Sequence, residues 1–270
     1  MSIRKLYVEG RLDAEILHAL LGGEPPVVQG GSKYALRPRA RADREESRID
    51  AGYLRDRDFD YDPPADSTTP AADYSVAGIV CGWRWCRHEI ENYLLEPQLV
   101  SDAMGFLPSD VEAAICDAAN DIREYEAARW TVGVVRRALP PHYKLSTRPD
   151  INELALPPDL REKAVRKWAL DSIVTHRDRI AQCMDSNAIR ESYSGFSKKF
   201  DNEFVADCAS VLLWFSGKDV LAGMNAWVKS KGMADVGAYR ADMRDWIIRN
   251  PERTLVSLPE WNSLVDKLRS

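Results

Sequence analysis

The alternation of strand-like and helix-like patterns in the first 60 residues is the feature that most constrains the fold. Residues 3–8, IRKLYV, are β-prone, and they precede a helical pattern, RLDAEILHALL, that ends at Gly22-Gly23. A second short strand, PPVVQGG, and an arginine-rich helical stretch lead to a third strand within RIDAGYLRDRDFD. This β-α-β-α-β order predicts an α/β domain with a mainly parallel sheet and helices on its faces.

The pattern changes near Pro97. Before it, residues 74–83, YSVAGIVCGW, are almost continuously apolar, which predicts one further buried strand. After it, long helical patterns dominate, beginning with DVEAAICDAANDIREYEAARWTVGVVRRAL. We therefore predict an α/β core over residues 1–97 and a mostly helical region over residues 98–270.

Charge and cysteine content limit the partners and cofactors. The formal net charge of -5 excludes a polycation that binds nucleic acid by bulk electrostatics, so any such binding must be local. The five cysteines are scattered and lack suitably spaced histidines, which argues against a zinc site. Since no apolar run reaches membrane-spanning length, and the N-terminus enters a strand directly, we expect a cytoplasmic protein without a membrane partner. The local basic candidates are Arg37, Arg39, Arg41, Arg44, Arg84, Arg87, Arg136 and Arg137.

Acidic residues follow two of the predicted strands. Glu9 comes directly after LYV, and Asp56 and Asp58 come after the strand at IDAGYL. The i, i+2 spacing of the two aspartates points both side chains to one side of an extended chain. Ligands of open α/β sheets bind beyond the carboxyl ends of the strands, and carboxylates on separate strands suit Mg²⁺ or Mn²⁺. The sequence therefore predicts a metal site built from these residues.

Asp13 is a further candidate for this site. It lies four residues after Glu9, in the first turn of the predicted helix, where it either joins the metal cluster or is an acid favoured by the helix dipole. The segment DRDFD also has a purely structural interpretation, since aspartates are common in turns between strands. That interpretation is weakened by the Glu9-Gly10 pair at the end of the preceding strand.

Four segments resemble TOPRIM domains. VEGRLDAEIL is similar to the first TOPRIM motif, and YLRDRDFD is similar to its D-x-D motif. CRHEIENYLLEP resembles the signature R-H-E-I-E-N-Y-L-L of the branch related to the overcoming-lysogenization-defect (OLD) nucleases, and WFSGKDVL resembles a G-K-D segment found late in that branch. The resemblance implies a Rossmann-like TOPRIM catalytic core over residues 1–97, a helical insertion or C-terminal region, and a return of residues 214–221 to the active site.

The resemblance also implies roles for the first acidic residues. Glu9, Asp56 and Asp58 would be metal ligands, and Glu9 would also be the general acid or base. Asp60 would either ligate the metal or order its loop.

Three later residues receive roles in the same way. One of Glu89 and Glu91 would complete the metal site while the other caps a helix, and we favour Glu91 as the ligand. The alternative is that HEIENYLL is a structural helix start. Lys218 would steady the negative charge of the scissile phosphate, or it is a surface residue at a helix start.

The function implied by the resemblance is that of a Mg²⁺-dependent nuclease. Its substrate would be DNA or RNA, with tRNA as one candidate, and it would act as a toxic effector in anti-phage defence, like the TOPRIM effector of PARIS-type systems. A separate ABC-type or AAA-type ATPase would sense infection, because Gly217-Lys218 continues with Asp219 and does not form a P-loop. We also expect a homodimer formed through the helical half. The alternative function is a non-catalytic interaction module that docks to such an ATPase.

Overall fold

The computed structural model of the chain describes residues 2–140, Leu145 and residues 159–269. Within these ranges a single five-stranded sheet lies in the N-terminal part of the chain. Its strands are β1 (Lys5–Val8), β2 (Val27–Gln29), β3 (Ala51–Arg55), β4 (Ala71–Val76) and β5 (Ile79–Arg84).

The sheet is mostly parallel. Its strand order is β2-β1-β3-β5-β4, and every neighbouring pair except β4 with β5 is parallel. The register pairs Leu6 with Val27 and Leu54 with Trp83. The carboxyl ends of β1, β3 and β5 therefore meet at one edge of the sheet, directly before the predicted acidic residues. This arrangement confirms the predicted α/β class with a mainly parallel sheet.

The prediction of one buried strand over residues 74–83 was wrong. This segment contains the end of β4, a turn, and most of β5, which pair antiparallel as a hairpin. The two turn residues, Ala77 and Gly78, have φ values of 50° and 80°. Positive φ at both central residues is typical of a type I′ turn, whose twist matches that of the flanking strands. The sequence did not indicate this turn, because alanine is uncommon at the first central position of a type I′ turn.

Two helices cover the sheet. They are α1 (Arg11–Leu20) and α2 (Lys33–Glu46). On α2, Leu36 and Ala40 are buried in one cluster with Tyr7 and Tyr53 of the sheet. On α1 the apolar side chains at helical spacing are buried, as the sequence pattern predicted; they are Ile16, Leu17 and Leu20.

The rest of the described chain is helical. After β5 come α3 (Glu91–Leu94), α4 (Pro97–Met104), α5 (Pro108–Ala138), α6 (Glu162–Cys183) and α7 (Ser186–Lys199). Then follow α8 (Asn202–Val205), α9 (Cys208–Trp214), α10 (Gly217–Gly223), α11 (Asn225–Ser230), α12 (Val236–Arg249), α13 (Pro251–Ser257) and α14 (Pro259–Arg269). None of these helices, within the ranges described, combines the length and apolarity needed to cross a membrane.

The structure divides the chain differently from the boundary predicted near Pro97. One compact unit contains residues 1–126 and 200–270, and the other contains residues 127–199. The first unit includes both the sheet and the C-terminal helices because α12 packs on α1, α3 and α4, and α10 packs on α3. A change from strand to helix along the sequence therefore does not mark the division between the units.

The second unit contains the end of α5 together with α6 and α7. The indole of Trp130 is buried and stacks on the ring of Phe196, with centroids 5.5 Å apart. Residues 141–144 and 146–158, which belong to the predicted helical region, lie outside the described residues.

Candidate metal centre

Three carboxylates converge at the carboxyl edge of the sheet. Asp56 follows β3, Asp58 lies two residues further on, and Glu89 follows β5. One oxygen from each residue lies within 4.8 Å of the others. Because parallel strands end at the same edge, the topology brings together acids that are more than thirty residues apart in the sequence. The structure thus contains an acidic triad that could hold a metal ion.

Within the acidic triad, Asp56 has a buried oxygen that is unsatisfied. Its backbone N–H donates a 3.0 Å hydrogen bond to Glu9 Oε1, which fixes the two acids against each other. Its own Oδ1 is buried and has no hydrogen-bond partner. Burying an unsatisfied carboxylate oxygen is unfavourable, and a bound cation removes that penalty. The donor set of hard carboxylate oxygens also fits Mg²⁺ or Mn²⁺.

Asp58 is held in an unusual backbone conformation. Its φ is 48°, in the left-handed region, which aspartate tolerates better than most residues. Its N–H donates to His88 O at 3.0 Å, and its Oδ2 lies 2.6 Å from Lys33 Nζ. These contacts tie the loop after β3 to the loop after β5 and to the start of α2. Strained backbone held in this way is common at functional sites.

Arg57, between the two aspartates, points into the protein core. Its fully buried guanidinium donates to the carbonyls of Cys86, Tyr61 and Leu213 at 2.6–2.8 Å. Burial lowers the pKa of Arg57 to about 10. This side chain joins three separate segments of the chain, and the sequence analysis did not predict it as a site residue.

Residues 216–218 hold Glu89. Ser216 Oγ and the N–H of Lys218 donate to Glu89 Oε1 at 2.8 and 2.9 Å, and Lys218 Nζ donates to Glu89 Oε2. Gly217 lies so close to the segment 91–92 that a Cβ atom there would be 2.4 Å from Asn92 N. The late G-K-D segment therefore lies against the residues that follow β5, and glycine is required at the contact.

Asn92 connects these two segments. Its Oδ1 accepts from the N–H groups of Glu89 and Gly217 at 3.1 and 3.2 Å. Its Nδ2 donates to the carbonyls of Leu212 and Phe215 at 3.0 and 2.9 Å. The buried amide thus uses both of its donors and both acceptor sites. Neither Asn92 nor Ser216 was predicted as a site residue, although both lie within segments that resemble TOPRIM-branch motifs, CRHEIENYLLEP and WFSGKDVL.

Glu91 and Asp13 form an acidic pair beside the triad. The sequence favoured Glu91 over Glu89 as the metal ligand, but Glu89 is the glutamate within reach of the two aspartates. Glu91 begins α3 and is buried; its oxygens lie 3.2 Å from Arg240 Nη1 and 3.5 Å from Lys218 Nζ. Burial, followed by the charges of Glu91 and Glu9, raises the pKa of Asp13 to about 7.

Asp60 is paired with cations. Its Oδ2 lies 2.6 Å from Lys33 Nζ and is in hydrogen-bond contact with Arg55 Nη2. Of the two predicted roles, these contacts favour ordering of the loop. Lys33 was missed because the sequence places it 25 residues before Asp58, at the start of a helix.

The centre carries an excess of negative charge. Burial, and then the charges of Asp13 and Glu9, raise the pKa of Asp56 well above its usual value. Burial is also the main cause that raises the pKa of Glu9. For Lys218, burial lowers the pKa, but the charges of Glu89 and Glu91 outweigh this effect and raise it. Groups whose pKa values are shifted by burial and by neighbouring charges are concentrated at functional sites.

The arginine-rich stretch of α2 is engaged in local contacts. Arg41 pairs with Glu45 at 2.6 Å, Arg44 donates to the carbonyl of Ala51 at 2.5 Å, and Arg37 lies over the ring of Tyr74. Arg44 and Arg37 therefore contact residues of β3 and β4, and Arg41 is paired within its own helix.

Comparison with known proteins adds no assignment to this geometry. The chain matches no protein-family model, and no curated protein matches it.

Proposed function

We propose that this protein is a TOPRIM-type nuclease that uses Mg²⁺ or Mn²⁺ to hydrolyse phosphodiester bonds of DNA or RNA. The observation that carries the proposal is the convergence of Asp56, Asp58 and Glu89 at the carboxyl edge of a mostly parallel sheet, with Lys218 in contact with Glu89. The order of the acids along the chain agrees with the resemblance of the four sequence motifs.

The metal would be held by Asp56 and Asp58, with Glu89 as the third acid of the site. The fit rests on the unpartnered, buried Asp56 Oδ1 and on a donor set made only of carboxylate oxygens. When bound, such an ion supplies Lewis-acid chemistry, since it neutralises phosphate oxygens and lowers the pKa of water.

The protein's own groups would position and stabilise the substrate. Glu9 is half-buried, has a pKa raised mainly by burial, and is oriented by the N–H of Asp56, which suits a group that accepts or donates a proton. Lys218 is half-exposed and remains cationic, so it can stabilise negative charge on the phosphoryl group. The charges of Asp13 and Glu91 would influence the ionisation of Asp56 and Lys218.

The cellular setting proposed from the sequence is anti-phage defence, with a separate ABC-type or AAA-type ATPase that senses infection and with dimerisation of this chain. The second candidate is a non-catalytic module that docks to the ATPase. One observation favours it: Ser216 and Lys218 already satisfy both oxygens of Glu89 by hydrogen bonds. A glutamate satisfied in this way needs no metal.

Metal binding and cleavage separate the two candidates. Mn²⁺ binding is measured by calorimetry, and cleavage of supercoiled DNA, single-stranded DNA and total tRNA is measured with Mg²⁺, Mn²⁺ or chelator. We expect Asp56→Asn to abolish measurable metal binding and to lower cleavage by about 100-fold or more. Asp102→Asn, an exposed change on α4, should leave both unchanged.

Two results would contradict the nuclease proposal. Cleavage that persists in chelator, or that is equal in Asp56→Asn and wild type, would exclude this metal centre as its source. Metal binding by the wild type without cleavage of any substrate, with or without an ATPase partner, would favour the interaction module.

A further inference from the structure

A cleft of about 300 Å³ lies between α1 and α12. Three arginines line it: Arg11 from the first turn of α1, and Arg240 and Arg244 from α12. Glu15 is the acidic residue of the lining. The cleft is thus locally basic in a chain whose net charge is -5.

The cleft is shaped by the sequence of α12. Arg240 and Arg244 are one helical turn apart and share a face. Gly237 and Ala241 are also one turn apart and line the same cleft, where their small size leaves room between the two helices. Small residues and long cationic side chains together line a groove suited to an anionic chain.

The arginines retain donors for a ligand. Arg11 Nε and Arg244 Nη1 share the carboxylate of Glu15 at 2.6 and 3.3 Å. A guanidinium has five N–H donors. Arg11 uses one of them here, whereas Arg244 uses three, because its Nε and Nη2 also pair with Asp245 at 2.8 and 2.6 Å. Arg11 has a side chain that is 83% exposed, so its remaining donors face solvent.

The cleft is connected to the metal centre by two ion pairs. Arg240 Nη1 lies 3.2 Å from Glu91 Oε1, and Lys218 Nζ lies 3.5 Å from Glu91 Oε2. Lys218 in turn contacts Glu89 of the acidic triad. A nucleic-acid strand with one phosphate at the triad would therefore extend its neighbouring phosphates toward the arginines.

We propose that this cleft binds the phosphodiester backbone of the strand next to the bond that is cleaved. The inference rests on the proposed nuclease function and names the surface that holds its substrate. Arginines bind phosphates through charge-assisted, often bidentate hydrogen bonds, and such contacts fix the register of the strand without reading its sequence.

The test measures binding without divalent metal. A fluorescently labelled single-stranded oligonucleotide, made as DNA and as RNA of the same sequence, is titrated in chelator at several salt concentrations. We expect Arg11→Gln and Arg244→Gln each to weaken binding several-fold and to lower the slope of log K against log salt by about one, because each removes one phosphate contact.

Lys167→Gln is the matched control. Lys167 is an exposed cation of α6 paired at 2.5 Å with an aspartate four residues later, as Arg11 is paired with Glu15, and it does not line the cleft. It should bind as the wild type does. Loss in both oligonucleotide arms supports recognition of the shared backbone, and loss in one arm supports the cleft with that nucleic acid as its ligand.

Wild-type-like affinity and salt slope in both cleft variants would overturn the inference, as would a wild type that binds neither oligonucleotide. Cleavage assays on the same variants keep this failure distinct from failure of the proposed function. If the arginine variants weaken binding but neither the wild type nor any variant cleaves, the cleft stands and the nuclease does not. If cleavage depends on Asp56 but not on the arginines, only the cleft is refuted.

Discussion

Replacing Gly217 by alanine tests the contact that joins the G-K-D segment to the residues after β5. A Cβ atom at this position would lie 2.4 Å from Asn92 N, 2.8 Å from Asn92 Oδ1 and 2.8 Å from the carbonyl carbon of Glu91. Two of these three atoms belong to backbone, which cannot rotate away as a flexible side chain can. The segment must therefore separate from α3.

Two opposite effects determine the size of the change. Gly217 is the first residue of α10, and alanine within a helix is favoured over glycine by about 1 kcal/mol or less. Overpacking of a rigid contact costs about 1–3 kcal/mol, and loss of the hydrogen bond from Gly217 N–H to Asn92 Oδ1 adds about 1 kcal/mol. The steric and hydrogen-bond costs exceed the gain in helix propensity, and we expect the free energy of unfolding to fall by about 1–3 kcal/mol.

Urea unfolding followed by circular dichroism measures this loss, with Gly195→Ala as the control. Gly195 lies within α7, and a Cβ atom there meets nothing within 4 Å. Helix propensity alone should stabilise that variant by up to about 1 kcal/mol. If Gly217→Ala is as stable as the wild type, or gains stability as Gly195→Ala does, the close packing of these segments is refuted.

Three further changes are expected to give distinct results. Glu260 is buried and has a raised pKa, chiefly through burial, so its ionisation opposes folding. The stability of the wild type should therefore fall relative to that of Glu260→Gln as the pH rises above the usual glutamate pKa. Urea titrations at several pH values measure this difference. Asp60→Asn weakens the ion pairs that order the loop after β3, and calorimetry should give about tenfold weaker Mn²⁺ binding. Trp261→Ala, in a fully buried cluster with Tyr93, should lose about 3–5 kcal/mol of unfolding free energy, whereas Val256→Ala, at an 84% exposed position, should change it by less than about 0.5 kcal/mol. A stability difference between wild type and Glu260→Gln that does not change with pH would contradict the first prediction. Unchanged Mn²⁺ affinity of Asp60→Asn would contradict the second, and equal stability of Trp261→Ala and Val256→Ala would contradict the third.

The order of strands and helices around the sheet could be predicted because each element carries its own local pattern. The alternation of IRKLYV and the apolar face of α1 are properties of neighbouring residues, and parallel pairing then places the ends of β1 and β3 together. The proximity of Glu9 and Asp56 was predicted for this reason. Their hydrogen bond joins residues 47 positions apart, yet it requires only the correct strand register.

The hairpin and the choice between two glutamates could not be predicted from local patterns. Ala77 adopts a positive φ that alanine rarely adopts, so the turn had no sequence signal of the usual kind. Glu89 and Glu91 are both near the end of β5, and their directions depend on where Ser216 and Arg240 pack. Those partners lie more than 120 residues later, in helices whose positions follow from tertiary packing.

The placement of the C-terminal helices in the first unit follows from polar groups as well as apolar ones. Asn92 needs four hydrogen-bond partners in a buried position, and three of them are backbone groups of residues 212–217. Burying this amide without them would leave several unsatisfied polar groups, at about 1–3 kcal/mol each. The surroundings of Glu89 in the acidic triad are therefore complete only when α9 and α10 are packed against α3. For that reason the G-K-D segment belongs to the same compact unit as the strands that carry the aspartates, although it follows the boundary predicted near Pro97.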